Sequence, residues 1–125
     1  MQAQSQPYQF DQRIRDWLQP ALDIFGTHDI EDIEAEVFAG RMQLWVGERG
    51  ALVSEIHTYP KKKALHLALA GGDLDQVLDF LPSLEAWSEH NGCTEMTLTG
   101  RLGWQRVLAK KGWTQTAIMM RCNHG

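Results

Sequence analysis

The sequence predicts a single α+β domain spanning 1–125, built on a mixed, mainly antiparallel sheet with helices on both faces. Three observations carry this. The 125 residues are 43% hydrophobic and 22% charged, the balance of a globular chain, and at this length folding hides roughly two thirds of the unfolded surface. Apolar residues switch along the chain between the three-to-four step of helices and the two step of strands. The order of those segments then joins an antiparallel run to crossovers that favour parallel neighbours, which a sheet covered on both faces accommodates.

The polar start, residues 1–9, reads as a flexible tail. Phe10, Ile14, Trp17, Leu18, Ala21, Leu22 and Phe25 form the stripe of a first helix, which Pro20 is expected to kink or split and Gly26 to stop. Thr27 or Asp29 caps a second, short helix with acids in its opening turns, Ile30, Ile33 and Val37 on its apolar side and Gly40 at its end. From Arg41 the period becomes that of strands: MQLWV, a turn at 47–50, then ALVSEIHTY, an antiparallel hairpin. Pro60 and three lysines make the next turn. Ala64–Ala70 follows as a third strand, with Leu65, Leu67 and Leu69 expected on one side and Ala64, His66, Ala68 and Ala70 on the other. Gly71 and Gly72 close it, Asp73 caps, and Leu74, Val77, Leu78, Leu81, Leu84 and Trp87 give one long helix with a bend at Pro82, ended by Asn91 and Gly92. The strand CTEMTLT, a short helix holding Trp104, Val107 and Leu108, the stop Gly112 and a last strand WTQTAIMMR complete the chain.

Charge and cysteine usage exclude several classes. With 12 Lys+Arg against 16 Asp+Glu the formal net charge is −4, against nucleic acid as a partner, because neutralising phosphates needs clustered cations in surplus. Cys93 and Cys122 have neither a C-x-x-C spacing nor histidines at zinc-ligand spacing, so no metal is expected and reduced thiols are. No apolar run approaches the roughly 18 residues of a membrane span, and no secretion signal opens the chain, which reads as cytoplasmic.

The stretch GRLGWQRVLAKKGW, Gly100 to Trp113, resembles the last helix and the following K-x-G-F turn of the Gcn5-related N-acetyltransferases, with Trp113 at the aromatic position. It is still more similar to small acetyltransferase-like proteins encoded by bacteriophages, as are LWVGERGALV and the Gly-Gly after the third strand. This resemblance implies the acetyltransferase fold, a phage or prophage source (host cytoplasm or virion), and acetyl-coenzyme A as the cofactor. It implies that the third and fourth strands splay apart and hold the cofactor's pantetheine arm between them, with its binding residues at Leu69, Gly71, Gly72 and Asp73, the pyrophosphate resting at the start of the long helix. Two positions depart from the family pattern: Asp73 places an acid at the phosphate end, and Leu108 stands where many members carry a proton-donating tyrosine.

Glu55 and His57 share a face of the second hairpin strand, with Tyr59 beyond, and His66 interrupts a row of alanines on the strand bordering the expected gap. These three are the candidate catalytic residues, each able to take a proton from an attacking amine. Each also has a bland reading, a polar residue on a solvated strand face or a satisfied histidine. Gly71 and Gly72 are equally explained by the dihedral needs of a strand-to-helix turn, Asp73 by capping, Arg101 and Arg106 by surface pairing. Two functions remain: an acyl-coenzyme A dependent N-acyltransferase acting on an amine-bearing substrate, or a non-catalytic phage protein that uses the same fold for assembly or for binding a protein partner.

Overall fold

The computed structural model describes residues 9–101 and 103–124. Of the expected tail, 1–8 lie outside the described residues. Helix α1, Gln12–Phe25, opens where Asp11 accepts the N–H of Ile14 at 3.1 Å and ends at Gly26, whose φ of 65° lets its N–H reach the Leu22 carbonyl. The expected split at Pro20 does not occur. The helix is continuous because its buried stripe, Ile14, Leu18, Ala21 and Leu22, stays seated on the sheet on both sides of a proline that itself faces solvent. Helix α2, Ile30–Phe38, begins at Asp29, whose N–H donates to Asp32 Oδ2 at 2.9 Å.

Strands β1 (Gln43–Val46), β2 (Gly50–Thr58), β3 (Lys63–Gly72) and β4 (Glu95–Leu98) form one sheet in the order β1-β2-β3-β4. The first two pairings are antiparallel and β3–β4 is parallel, as the crossover between them predicts. That crossover is two helices rather than one: α3, Leu74–Asp79, and α4, Leu81–His90. Pro82 sits at the start of α4, where its missing N–H leaves no intrahelical bond unmade, so the chain restarts a helix there instead of bending through it.

Two apolar clusters sandwich the sheet. On one face Ile14, Leu18 and Leu22 of α1 and Ile30 and Ile33 of α2 pack on Ala51, Val53 and Leu69. On the other, Val77 of α3 and Leu84 of α4 pack on Leu52, Leu65 and Leu67, with Trp45 and Trp87 meeting edge to face at 6.0 Å. Leu69 thus lies on the face opposite Leu65 and Leu67, against the expected alternation. The cause is a bulge: Val53 pairs with Leu69 and Ser54 with Leu67, which leaves Ala68 as an extra residue of β3.

One buried ion pair, which no sequence spacing announced, ties α1 to α2. Glu34, 2% exposed, takes two bonds from Arg15, at 2.7 and 3.0 Å, and the N–H of Phe10 at 2.6 Å.

Helix α5, Gly103–Ala109, ends in a paired cap: Gly112, at φ 89°, donates to the Ala109 carbonyl and Trp113 to the Leu108 carbonyl. The expected last strand, 113–121, does not form. Trp113 packs on the same apolar cluster as Trp87 and Trp104, but the residues after it find no ladder partner, and alternation alone does not make a strand. Cys93 is buried and Cys122 exposed, both unbridged.

Candidate functional site

β3 and β4 run side by side only from Ala64↔Glu95 to Leu67↔Leu98. Beyond that rung β3 continues along β2 to Gly72 while β4 ends, and the strands part around a cleft of about 460 Å³. One wall is β3 from Leu67 to Gly72, the other Leu98 to Arg101 with Trp104 and Val107 of α5, and Trp17, Ala21 and Ile24 of α1 border it. The volume suits a slender small-molecule chain. The bulge lies in the β3 wall, where an extra residue breaks the even spacing of ladder bonds and re-aims backbone groups. Sequence reasoning missed it because Leu65, Leu67 and Leu69 keep a perfect period of two.

The three candidate catalytic residues do converge, below the cleft on the face that carries α1 and α2. The rings of His57 and His66 stack with centroids 4.9 Å apart and planes 19° from parallel. Glu55 Oε2 stands 3.4 Å from His57 Nε2, and the Tyr59 hydroxyl 3.0 Å from His57 Nδ1. His66 Nδ1 lies 2.9 Å from Thr97 Oγ1, its register partner on β4, one rung before the strands separate. Thr97 was not foreseen, since register between parallel strands is not written in either one. With Nδ1 engaged, Nε2 is the ring nitrogen left to exchange a proton. Burial holds the His66 pKa below its ordinary value; the adjacent His57 ring acts in the same direction and Glu55 against it. None of the three lines the cleft; His66 directly precedes its first lining residue on β3, Leu67, and a neutral, part-buried imidazole has the properties of a general base.

Of the expected cofactor-binding residues, Leu69, Gly71 and Gly72 line the cleft and Asp73 does not. Gly71 also has a packing role: a Cβ there would stand 1.7 Å from the Trp17 carbonyl oxygen, so the glycine lets α1 cross β3 at close range. Asp73 caps α3 by accepting the N–H of Asp75 at 2.9 Å and pairs with Arg49 at 3.2 Å. Those two interactions, the backbone bond first, hold its carboxyl below the usual carboxylate range. The start of α3 is therefore served by the chain's own anion. The cleft has room for an extended chain, whereas the Asp73 carboxylate opposes a pyrophosphate at the start of α3. Arg101 is the one charged residue among those lining the cleft, and it is exposed. Leu108 is buried and offers no proton. Among the described residues no cluster of His, Cys, Asp and Glu is arranged to hold a metal ion, and no helix is long and apolar enough to cross a membrane.

No family model matches the chain, and no curated protein does. Solved structures do. Glucosamine-6-phosphate N-acetyltransferase from Arabidopsis thaliana superposes with a TM-score of 0.57 at 14% identity, covering 77% of this chain and 76% of that one. An acetyltransferase from Trypanosoma brucei gives 0.55 at 13%, over 88% and 94%. A Clostridium difficile protein described as a possible acetyltransferase gives 0.59 at 8%, over 86% of each. The fold is that of the N-acetyltransferases. At these identities the likeness extends to the path of the backbone, so the chemistry of this chain has to be read from its own cleft and side chains.

Proposed function

We propose that the protein is an N-acyltransferase that moves an acyl group from acyl-coenzyme A to a primary amine. The observation that carries this reading is the parting of β3 and β4 beside an unpaired residue, Ala68, with a neutral histidine one rung below. The acyl donor brings an activated thioester; every other requirement falls to the chain. Leu67 to Gly72 of β3 offer strand edge to the amide-bearing arm, as an added strand would use it. Backbone N–H groups freed at the bulge polarise the acyl carbonyl. Arg101 holds a phosphate of the donor in place of the occupied helix start. His66 takes the proton that the amine loses as it bonds to the acyl carbon, the carbon–sulfur bond breaks, and the thiolate leaves with its proton supplied by water, since Leu108 has none. Glu55 faces the resulting imidazolium and favours it, while the adjacent His57 ring, like burial, opposes it and returns the proton readily. The amine enters from the face of α1 and α2. A cytoplasmic setting and a phage or prophage source are parts of this proposal rather than of the fold.

The alternative, a non-catalytic phage assembly or host-interaction protein, is favoured by two observations: the self-capped α3 and the aliphatic Leu108. Calorimetric titration with acetyl-coenzyme A separates them. Acyl transfer requires binding in the micromolar range, worth roughly 8 kcal/mol, and Arg101→Gln should weaken it about tenfold as one charge-assisted bond is lost. Absence of binding at millimolar ligand would sink the enzyme reading and leave the non-catalytic one.

A further inference from the structure

Two features on the β4 side of the molecule lack a partner. β4 bonds β3 along one edge, and among the described residues nothing pairs with its other edge. Its sequence EMTL contains no proline and a single charge, few of the devices that keep an open edge from recruiting another strand. The second feature is the segment 114–121, TQTAIMMR. Its Ile118, Met119 and Met120 are 69%, 70% and 82% exposed, a run of large apolar side chains of the kind that marks an interaction surface. Extended, the segment turns Ile118 and Met120 one way and Ala117 and Met119 the other. Both faces are then apolar, the pattern of a strand covered on both sides within a sheet.

Within its own molecule the segment is held out of that role. At one end Trp113 is fixed by the Leu108 carbonyl and packs on the α4 face of the sheet. At the other, Arg121 Nη2 donates to the Ile24 carbonyl of α1, on the opposite face, at 3.3 Å. Between these two anchors the segment pairs with no strand of its own chain among the described residues.

We infer that two copies of this chain dock reciprocally, the segment 114–121 of each adding as a strand to the open edge of β4 in the other. A chain that carries both an unfilled edge and an unpaired, strand-forming segment satisfies both at once in a two-fold pair, where the same surfaces meet on each side and the assembly closes. The ladder bonds give the attachment, and Ile118, Met119 and Met120 leave water for the two faces of the extended sheet. The inference concerns assembly and stands apart from the acyl-transfer reading.

Sedimentation across a concentration series, with amide hydrogen exchange on the same samples, tests it. The expected result is a concentration-dependent dimer in which 95–98 and 114–121 become protected together. The double variant Ile118→Asp with Met120→Asp should be monomeric and exchange rapidly at both places; because these side chains are exposed in the single chain, its melting temperature at low concentration should match that of the unaltered protein. A chain that stays monomeric up to roughly 1 mM, the weak limit of specific association, would overturn the inference. So would a dimer that survives the double substitution, or protection of 95–98 in a monomer.

Discussion

His66 joins a proton acceptor to a stability switch. Its pKa is depressed from 6.5 by burial first and by His57 second, so below about pH 6.5 the unfolded chain binds more protons than the folded one. Its contribution to stability is whole above that pH and declines as pH falls below it. Urea unfolding at pH 7.5 and 5.5 should therefore give a lower midpoint in acid, and His66→Gln, which keeps a polar partner for Thr97, should shrink the difference. The same substitution should lower acyl transfer at pH 7.5 by about 100-fold, the range of a lost general base; a variant with undiminished rate would remove His66 from the mechanism. Gly71 acts through packing. A methyl group there meets the Trp17 carbonyl oxygen, which belongs to a helix backbone and cannot swing aside. Gly71→Ala should cost about 3 kcal/mol in denaturant titration.

Among the elements, β3 carries the most. Its bulge puts Leu69 on the α1 face and Ala70 on the other, so deleting Ala68 would restore a regular ladder with every later residue still on its observed face. The deletion should leave the melting temperature nearly unchanged while abolishing acyl transfer, because the freed backbone groups disappear with the bulge. Full activity in that variant would show that the bulge takes no part in the chemistry. The α1–α2 pair depends on Glu34. Glu34→Ala removes the two short bonds of Arg15, which keeps its contact to Glu31 at 3.4 Å, and the carboxylate that accepts the Phe10 N–H, and should destabilise by about 2 kcal/mol; thermal melts of the two proteins measure it.

For the molecule as a whole, the cleft and the meeting of His66 with Thr97 exist because one crossover makes β3 and β4 parallel and a short β4 lets go of a long β3. Neither strand encodes that alone. Binding should respond to charge at Arg101 and not at the self-capped start of α3: Asp73→Asn, which keeps a capping side chain and removes the carboxylate, should leave acetyl-coenzyme A affinity nearly unchanged at low salt. Calorimetry at two salt concentrations reads this directly, and clearly tighter binding by the variant at low salt would move the phosphates to the start of α3.

What the sequence determined by itself is whatever is fixed within a turn or an alternation. The apolar stripes of α1 and α2, the hairpin of β1 and β2, the capping residues Asp29 and Asp73 and the stops at Gly26, Gly92 and Gly112 are local properties, and their physics is complete within a few residues. The candidate residues Glu55, His57 and His66 were also legible, as polar side chains on strands that otherwise alternate. Tertiary structure decided the rest. Pro20 stayed in a continuous helix because the stripe around it was held by the sheet. Leu69 changed faces because Ala68 had no partner on β2. Thr97 met His66 because of a parallel register set by packing, and 113–121 stayed out of the sheet although its sequence alternates, because a strand exists only against another strand and no residue pattern says whether that partner is in reach.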